Sequence, residues 1–248
     1  MFVLCFDLHG RGRTAVARSR ARGGAPDRVP ELLAALAPVG LRRPAERAVG
    51  DQVVAVAERA EEALALLRIG CELGDWAMGL GIGAAEEPAA RAEGPAAHAA
   101  GPFSGAADSL GATAPARTVP TSVREVRGPA LHAALDALDS ARRSAGVPLS
   151  VRAADPRHEE TARDAEAVLR LVGRLIGERG PGQRRAVAAA REHPGARQSE
   201  LAEQLGVRQQ TVSRALRTAG WHEESAARPL AERLLAMIDL TSGRAAGR

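Results

Sequence analysis

Residues 198–217, QSELAEQLGVRQQTVSRALR, leave a folding chain little freedom. Leu201, Ala202 and Leu205 recur at helical spacing, Gly206 interrupts, and Val212, Ala215 and Leu216 recur again. The spacing predicts a helix from Gln198 to Leu205 and a second from Gln209 to a point before Gly220. Gly206 supplies the positive φ that a tight corner between helices requires. Ala202 is small where the two helices approach, and Val207 is expected to plug the corner. Arg208, Gln209, Gln210, Ser213, Arg214 and Arg217 fall off the apolar stripe of the second helix. This is the pattern of a helix-turn-helix, whose second helix enters the DNA major groove by its N-terminal end. Arg pairs bidentately with guanine and Gln with adenine, so Gln209 and Gln210 are expected to read bases. Arg197, Arg214 and Arg217 lie nearer the flanks and are expected to meet phosphate. The Ser or Thr that caps most such helices is absent, and Arg208 or Gln209 stands in its place. The plain alternative is a helical hairpin that only packs.

The stretch resembles the helix-turn-helix of phage repressor and Cro-like regulators, which implies double-stranded DNA as the partner. A single such unit makes few contacts, so a homodimer is expected as well. The stripes at Val168–Ile176 and Leu230–Ile238 are candidate dimer surfaces.

A chain of 248 residues allows one large domain or two small ones. Aromatic residues make up only 2% of it and Tyr is absent, so Ala, Val and Leu must fill the core. Each buries little area, so such a core depends on close contact between helices. All 34 basic residues are Arg, and the formal net charge is only +4. The sequence pI of about 10.5 therefore reflects the high pKa of guanidinium more than a large excess of cations. The mild basicity hints at a polyanionic partner. Cys5 and Cys71 are far apart and lack metal-ligand spacing, and Cys5, inside an apolar run, reads as a reduced buried thiol. The first residues are too short an apolar run for a signal peptide, and no run approaches the length of a membrane span. A cytoplasmic protein with no membrane partner is expected.

Met1–Phe6 reads as a buried strand, and residues 10–26 as an Arg- and Gly-rich surface loop. Asp27 can cap a helix carrying Leu32, Leu33 and Leu36, which Gly40 closes. Glu46–Val49 and Gln52–Ala57 read as the arms of a hairpin with Gly50-Asp51 at its tip. Glu58–Arg68 is an amphipathic helix, Trp76–Ile82 a strand with two glycines, and residues 85–121 a low-complexity disordered insert. Val123–Arg143 reads as a helix with Leu131, Ala134, Leu135 and Leu138 inward, and Val147–Val151 as a last strand. Beyond Asp155-Pro156, Thr161 with Asp164 suggests a capping box for a helix with Val168, Leu171, Val172, Leu175 and Ile176 inward. Helices Gln183–Glu192 and Trp221–Leu240 flank the helix-turn-helix, the latter with Leu230, Leu234, Met237 and Ile238 inward and a kink at Pro229. The order predicts an α+β N-terminal domain over 1–153, a sheet covered on one face by helices. An all-α helix-turn-helix domain follows over 157–240.

Asp7 closes the first strand and Asp51 sits at the hairpin tip. Paired carboxylates at neighbouring strand ends can hold Mg²⁺ and a triphosphate. The arrangement resembles the palm of class III nucleotidyl cyclases, and Gly79-Leu80-Gly81-Ile82-Gly83 resembles their glycine-bearing strand. Residues 128–134, GPALHAA, resemble the helix that carries their transition-state residues. His132 stands where those enzymes have Asn, and Leu135 or Asp136 where they have Arg. The resemblance therefore implies a degenerate, ferredoxin-like palm that binds a nucleotide at Asp7 and Asp51 or serves as a scaffold, and no enzyme.

The segments FDLHGRGR, AVGDQVVAV, GLGIGAAEEP and VREVRGPALHAALDAL, followed by QSELAEQLGVRQQTVSRAL and GWHEESAARPLAERLLAMI, together resemble the SatD-like family in their order. Many members have Gly-Asp-Glu at the hairpin, where Gln52 follows Asp51 here. His9, His98, His132, His158, His193 and His222 show no metal-ligand spacing and form no Ser-His-Asp set. Neither a catalytic residue, a metal ligand nor a bound cofactor is expected. DNA-binding transcriptional regulation is the expected function, and Mg-nucleotide binding or a protein-interaction adaptor the alternatives.

Overall fold

The computed structural model describes residues 1–9, 27–85 and 126–245. The expected loop at 10–26 and nearly all of the expected insert at 85–121, His98 with it, lie outside the described residues.

Strand β1 (Phe2–Leu8) occupies the middle of a five-stranded sheet in the order β2-β3-β1-β4-β5. It runs antiparallel to both β3 (Val53–Ala57) and β4 (Trp76–Ile82). The two-residue β2 (Glu46–Arg47) pairs antiparallel with β3, and β5 (Leu149–Ala153) pairs parallel with β4. Because side chains alternate across a strand, each strand sorts its residues between two faces. Phe2, Leu4, Phe6, Trp76, Met78 and Leu80 lie in one hydrophobic cluster, and Val3, Cys5, Val54, Val56 and Ala77 in another.

The bulky face carries α1 (Val29–Leu36) and α2 (Ala60–Leu73). Arg28, not Asp27, is the N-cap residue of α1 and makes no side-chain cap; Asp27, one residue earlier, accepts from Val29 N at 3.0 Å, and Gly40 ends the 3₁₀ turn after α1 with φ +69°. The small-residue face carries α3 (Pro129–Arg142) through Ala130, Ala134, Leu138 and Ala141. The sheet is thus covered on both faces, not one. The reason lies in β4. A Cβ on Gly81 would stand 2.1 Å from the Ala130 carbonyl oxygen, and one on Gly79 2.3 Å from the Ala134 carbonyl oxygen. The two glycines let the backbone of α3 rest directly on the strand. The helix phase also differs from expectation: Leu135 is exposed, and Ala133 and Ala137 are buried instead.

After β5, a 3₁₀ turn at Pro156–His158 leads into α4 (Glu159–Gly177). The Thr161–Asp164 capping box does not form, because the helix begins earlier; Asp155 caps the turn by accepting from Arg157 N at 3.0 Å. Helices α5 (Pro181–Glu192), α6 (Gln198–Leu205) and α7 (Gln209–Thr218) follow, and α8 (Trp221–Ala245) is last. Pro229 lies inside α8, which continues past Leu240.

Helices α4 and α8 pack on each other and join the bulky-face core through Ala162, Ala165, Leu169, Ala231, Leu235 and Ile238. The expected units 1–153 and 157–240 therefore share one core. Both candidate dimer stripes are largely taken up by this packing. Leu171, Leu230 and Met237, expected inward, point outward at 70%, 41% and 56% exposure. Helices α5, α6 and α7 enclose a separate small core of Val187, Leu201, Ala202, Val212, Leu216 and Ala219.

Candidate nucleic-acid interface and the strand-end carboxylates

Helices α6 and α7 have the bounds the spacing predicts, joined by the turn Gly206–Arg208. Gly206 takes φ 65°, ψ 34°, the left-handed conformation that glycine adopts without strain. Val207 N donates to the Ala202 carbonyl at 3.0 Å and Gly206 N to that of Glu203 at 3.1 Å, so carbonyls left open by the end of α6 find donors. At the other end of α6, the Glu200 carboxylate accepts from Arg197 N at 2.9 Å. Leu201 and Ala202 are buried against Val212 and Leu216. Val207 is 41% exposed and does not plug the corner, because the reversal at Gly206 carries it past the small core.

Only Val212 and Leu216 of α7 are buried. Gln209, Gln210, Ser213, Arg214 and Arg217 are exposed, as are Arg197 and Arg208 in the preceding turns. Among the described residues, none of Arg197, Arg208, Arg214 and Arg217 joins an ion pair within 4 Å. No side chain caps the N-terminus of α7, where Arg208 holds extended φ and ψ. The helix thus presents two amide side chains, a hydroxyl and two guanidiniums, with the positive end of its dipole leading.

The α5–α7 unit is braced against the core by ion pairs. Arg68 meets Glu72 at 2.7 Å, Glu72 meets Arg191 at 3.2 Å, Arg191 meets Glu224 at 2.9 Å, and Glu224 meets Arg179 at 2.5 Å. Arg179, its side chain 1% exposed, also donates to the Ala219 carbonyl at the end of α7. Arg191 lies 5.5 Å over the Trp221 ring. Sequence reading missed this chain, because Glu72 and Arg191 are 119 residues apart and nothing local links them.

Asp7 and Asp51 do come to the same end of the sheet. The β1–β3 register pairs Phe6 with Val53, so Asp7 and the Gly50-Asp51 turn lie just beyond it. Gly50 has φ 61°, and Ala48 N donates to the Gln52 carbonyl at 2.8 Å across the turn. Asp7 is engaged, however. Arg142, in the last turn of α3, holds its Oδ2 from Nε at 2.9 Å and from Nη2 at 2.7 Å. No group of three or more acidic, His or Cys side chains fit to hold a metal ion occurs among the described residues. His132 is exposed on α3. Cys5 and Cys71 are both buried and free, and burial pushes each thiol up to about 12.

No helix among the described residues is long and apolar enough to cross a membrane. Comparisons with protein-family models, with curated proteins and with solved structures gave no match.

Proposed function

We propose that the chain is a DNA-binding transcriptional regulator that reads duplex DNA with α7. The observation that carries this is the face of that helix: Gln209, Gln210, Ser213, Arg214 and Arg217 all exposed, beside an uncapped N-terminus and unpaired arginines. These groups are concentrated on a ten-residue helix that buries only Val212 and Leu216. Gln209 and Gln210 set base preference, while Arg197, Arg208, Arg214 and Arg217 hold phosphates or flanking bases. In this reading the β-sheet unit is a scaffold or sensor and no enzyme. The order β2-β3-β1-β4, with helices after β1 and β3, supports descent from a ferredoxin-like palm and kinship with the SatD-like family. The Mg-nucleotide reading has less support, because Arg142 already neutralises Asp7. The adaptor reading has no observation of its own.

The test compares Gln210→Ala with wild type on a selected duplex and on its scrambled counterpart at fixed salt. The substitution is expected to weaken the selected complex by about 1–3 kcal/mol and the scrambled one little. Equal affinity of both proteins for both duplexes would leave no base readout and favour the adaptor. Dimerisation belongs to the proposal, and light scattering at micromolar concentration should give twice the chain mass. A strict monomer that footprints one half-site would remove it.

A further inference from the structure

A cavity of about 680 Å³ lies between the core and the α5–α7 unit. Its apolar wall is drawn from both sides: Cys71 of α2, Val172 and Ile176 of α4, Leu201 of α6, Leu216 of α7, and Trp221 of α8. This volume falls in the range of pockets that enclose small organic ligands, which are mostly apolar with a few convergent polar groups.

The polar part of the lining is unbalanced. Arg68, Arg191 and Arg228 reach the cavity with His193 and His222, against one lining carboxylate, Glu224, and Arg228 is itself paired with Glu232 at 2.8 Å, which leaves the bias with Arg68 and Arg191. The ion-pair chain at its edge has the same bias, with Arg68, Arg191 and Arg179 sharing only Glu72 and Glu224. Arg179 Nη1, at the end of that chain and outside the cavity lining, is buried without a hydrogen-bond partner. A neutral ligand would leave this excess of positive charge in place. An anionic head on an apolar body would offset it. Simple lipophilicity would account for the wall but not for the arginines.

We propose that this cavity binds an amphipathic organic anion, an aliphatic or aromatic body bearing a single carboxylate or sulfonate. Occupancy stands on the cavity alone. Any effect on DNA rests on the function proposed above: a ligand touching both walls favours the spacing of core and α5–α7 unit that it fits, and a ligand shifts an equilibrium only by such a difference in affinity.

The test uses the full chain and 1-anilinonaphthalene-8-sulfonate, an aromatic sulfonate whose fluorescence rises in apolar surroundings. One saturable site per chain is expected. Decanoate should displace the probe, and decanol should need at least tenfold more. Ala227→Trp, which fills the cavity from α8, should weaken probe binding at least tenfold, and Arg228→Gln by roughly three- to tenfold. Near-UV circular dichroism and a cooperative thermal transition verify that each variant folds. If Ala227→Trp does not fold, Ser225→Trp replaces it. Non-saturable fluorescence, or unchanged affinity in a folded cavity-filling variant, would overturn the site. Equal displacement by decanol and decanoate would overturn the assignment of an anion. These titrations contain no DNA, so a failure of DNA binding and a failure of this site are read separately.

Discussion

Gly81→Ala is the substitution whose effect can be worked out most directly. The new methyl would stand 2.1 Å from the Ala130 carbonyl oxygen and 2.3 Å from Ala134 N, both backbone atoms that no rotamer change can move. Helix α3 would have to lift by roughly 1 Å to restore contact distance. Its buried side chains are five alanines and Leu138, worth roughly 6 kcal/mol together at about 0.8 kcal/mol per methyl and about 2 for Leu. A gap of that size forfeits a quarter to a half of such contacts, so the expected loss is about 1.5–3 kcal/mol. For a chain of this length that lowers Tm by roughly 3–6 °C, and the urea midpoint should fall with little change in slope. Gly40→Ala is the control: φ is +69° there with nothing within 4 Å, so only left-handed strain of about 1 kcal/mol applies. If Gly81→Ala cost no more than Gly40→Ala, the close seating of α3 would not be the reason for the glycine.

Glu224→Gln should be costly, because it leaves Arg179, with its side chain 1% exposed, without a counter-charge. About 3 kcal/mol is expected by thermal or urea unfolding, with much of it recovered when Arg179 and Glu224 are both replaced by Leu; a loss under about 1 kcal/mol would refute the bracing role. The two thiols predict alkaline sensitivity. Cys5 and Cys71 ionise only near 12 in the folded chain against 9.0 ordinarily, so between those values the unfolded state binds fewer protons and stability falls as pH rises. The slope should approach roughly 1.4 kcal/mol per pH unit per thiol, and Cys71→Ala should reduce it by about half. A pH-independent unfolding midpoint between 9 and 11 would contradict the burial of both thiols.

The two helices at 198–217 were legible with close bounds because every signal there is local: a helical repeat, a glycine at the corner, then the repeat again. The strands were legible for the same reason, each being a short apolar run of at most seven residues. Helix phase was harder wherever alanine and glycine are the buried residues. In α4, Gly173 is buried while Leu171 is 70% exposed, and in α8 Ala231 is buried while Leu230 is 41% exposed. Hydropathy follows the leucines and so turns the helix the wrong way. The second helical layer was hidden because it depends on what Gly79 and Gly81 lack, and a missing side chain has meaning only once α3, some fifty residues on, rests against it. The cavity and the ion-pair chain were hidden because the first is assembled from α2, α4 and every helix from α5 to α8, and the second from α2, the turn after α4, α5 and α8, and no spacing in one segment encodes either.

Asp7 shows how the covering of that second face bears on function. In an open palm, a carboxylate at the end of the central strand would face solvent and be free to take up a metal and a triphosphate. Here α3 lies across the face, and its last turn delivers Arg142 to Asp7 Oδ2 by a hydrogen bond from Nε and an ion-pair contact from Nη2, while the same guanidinium also meets Asp139 at 2.7 Å. Binding a cation at Asp7 would mean breaking a two-pronged pair between side chains only 26% and 15% exposed, and such pairs resist opening more than surface ones do. Asp51 does not make up the loss, since no third acid joins it and Asp7 in a metal-binding group among the described residues. The alanines and glycines that bring α3 onto the sheet thus also supply the cation that occupies the strand-end carboxylate. Among the described residues, α7 gathers exposed amide, hydroxyl and guanidinium side chains on one short helix, which is why the proposed function rests on it.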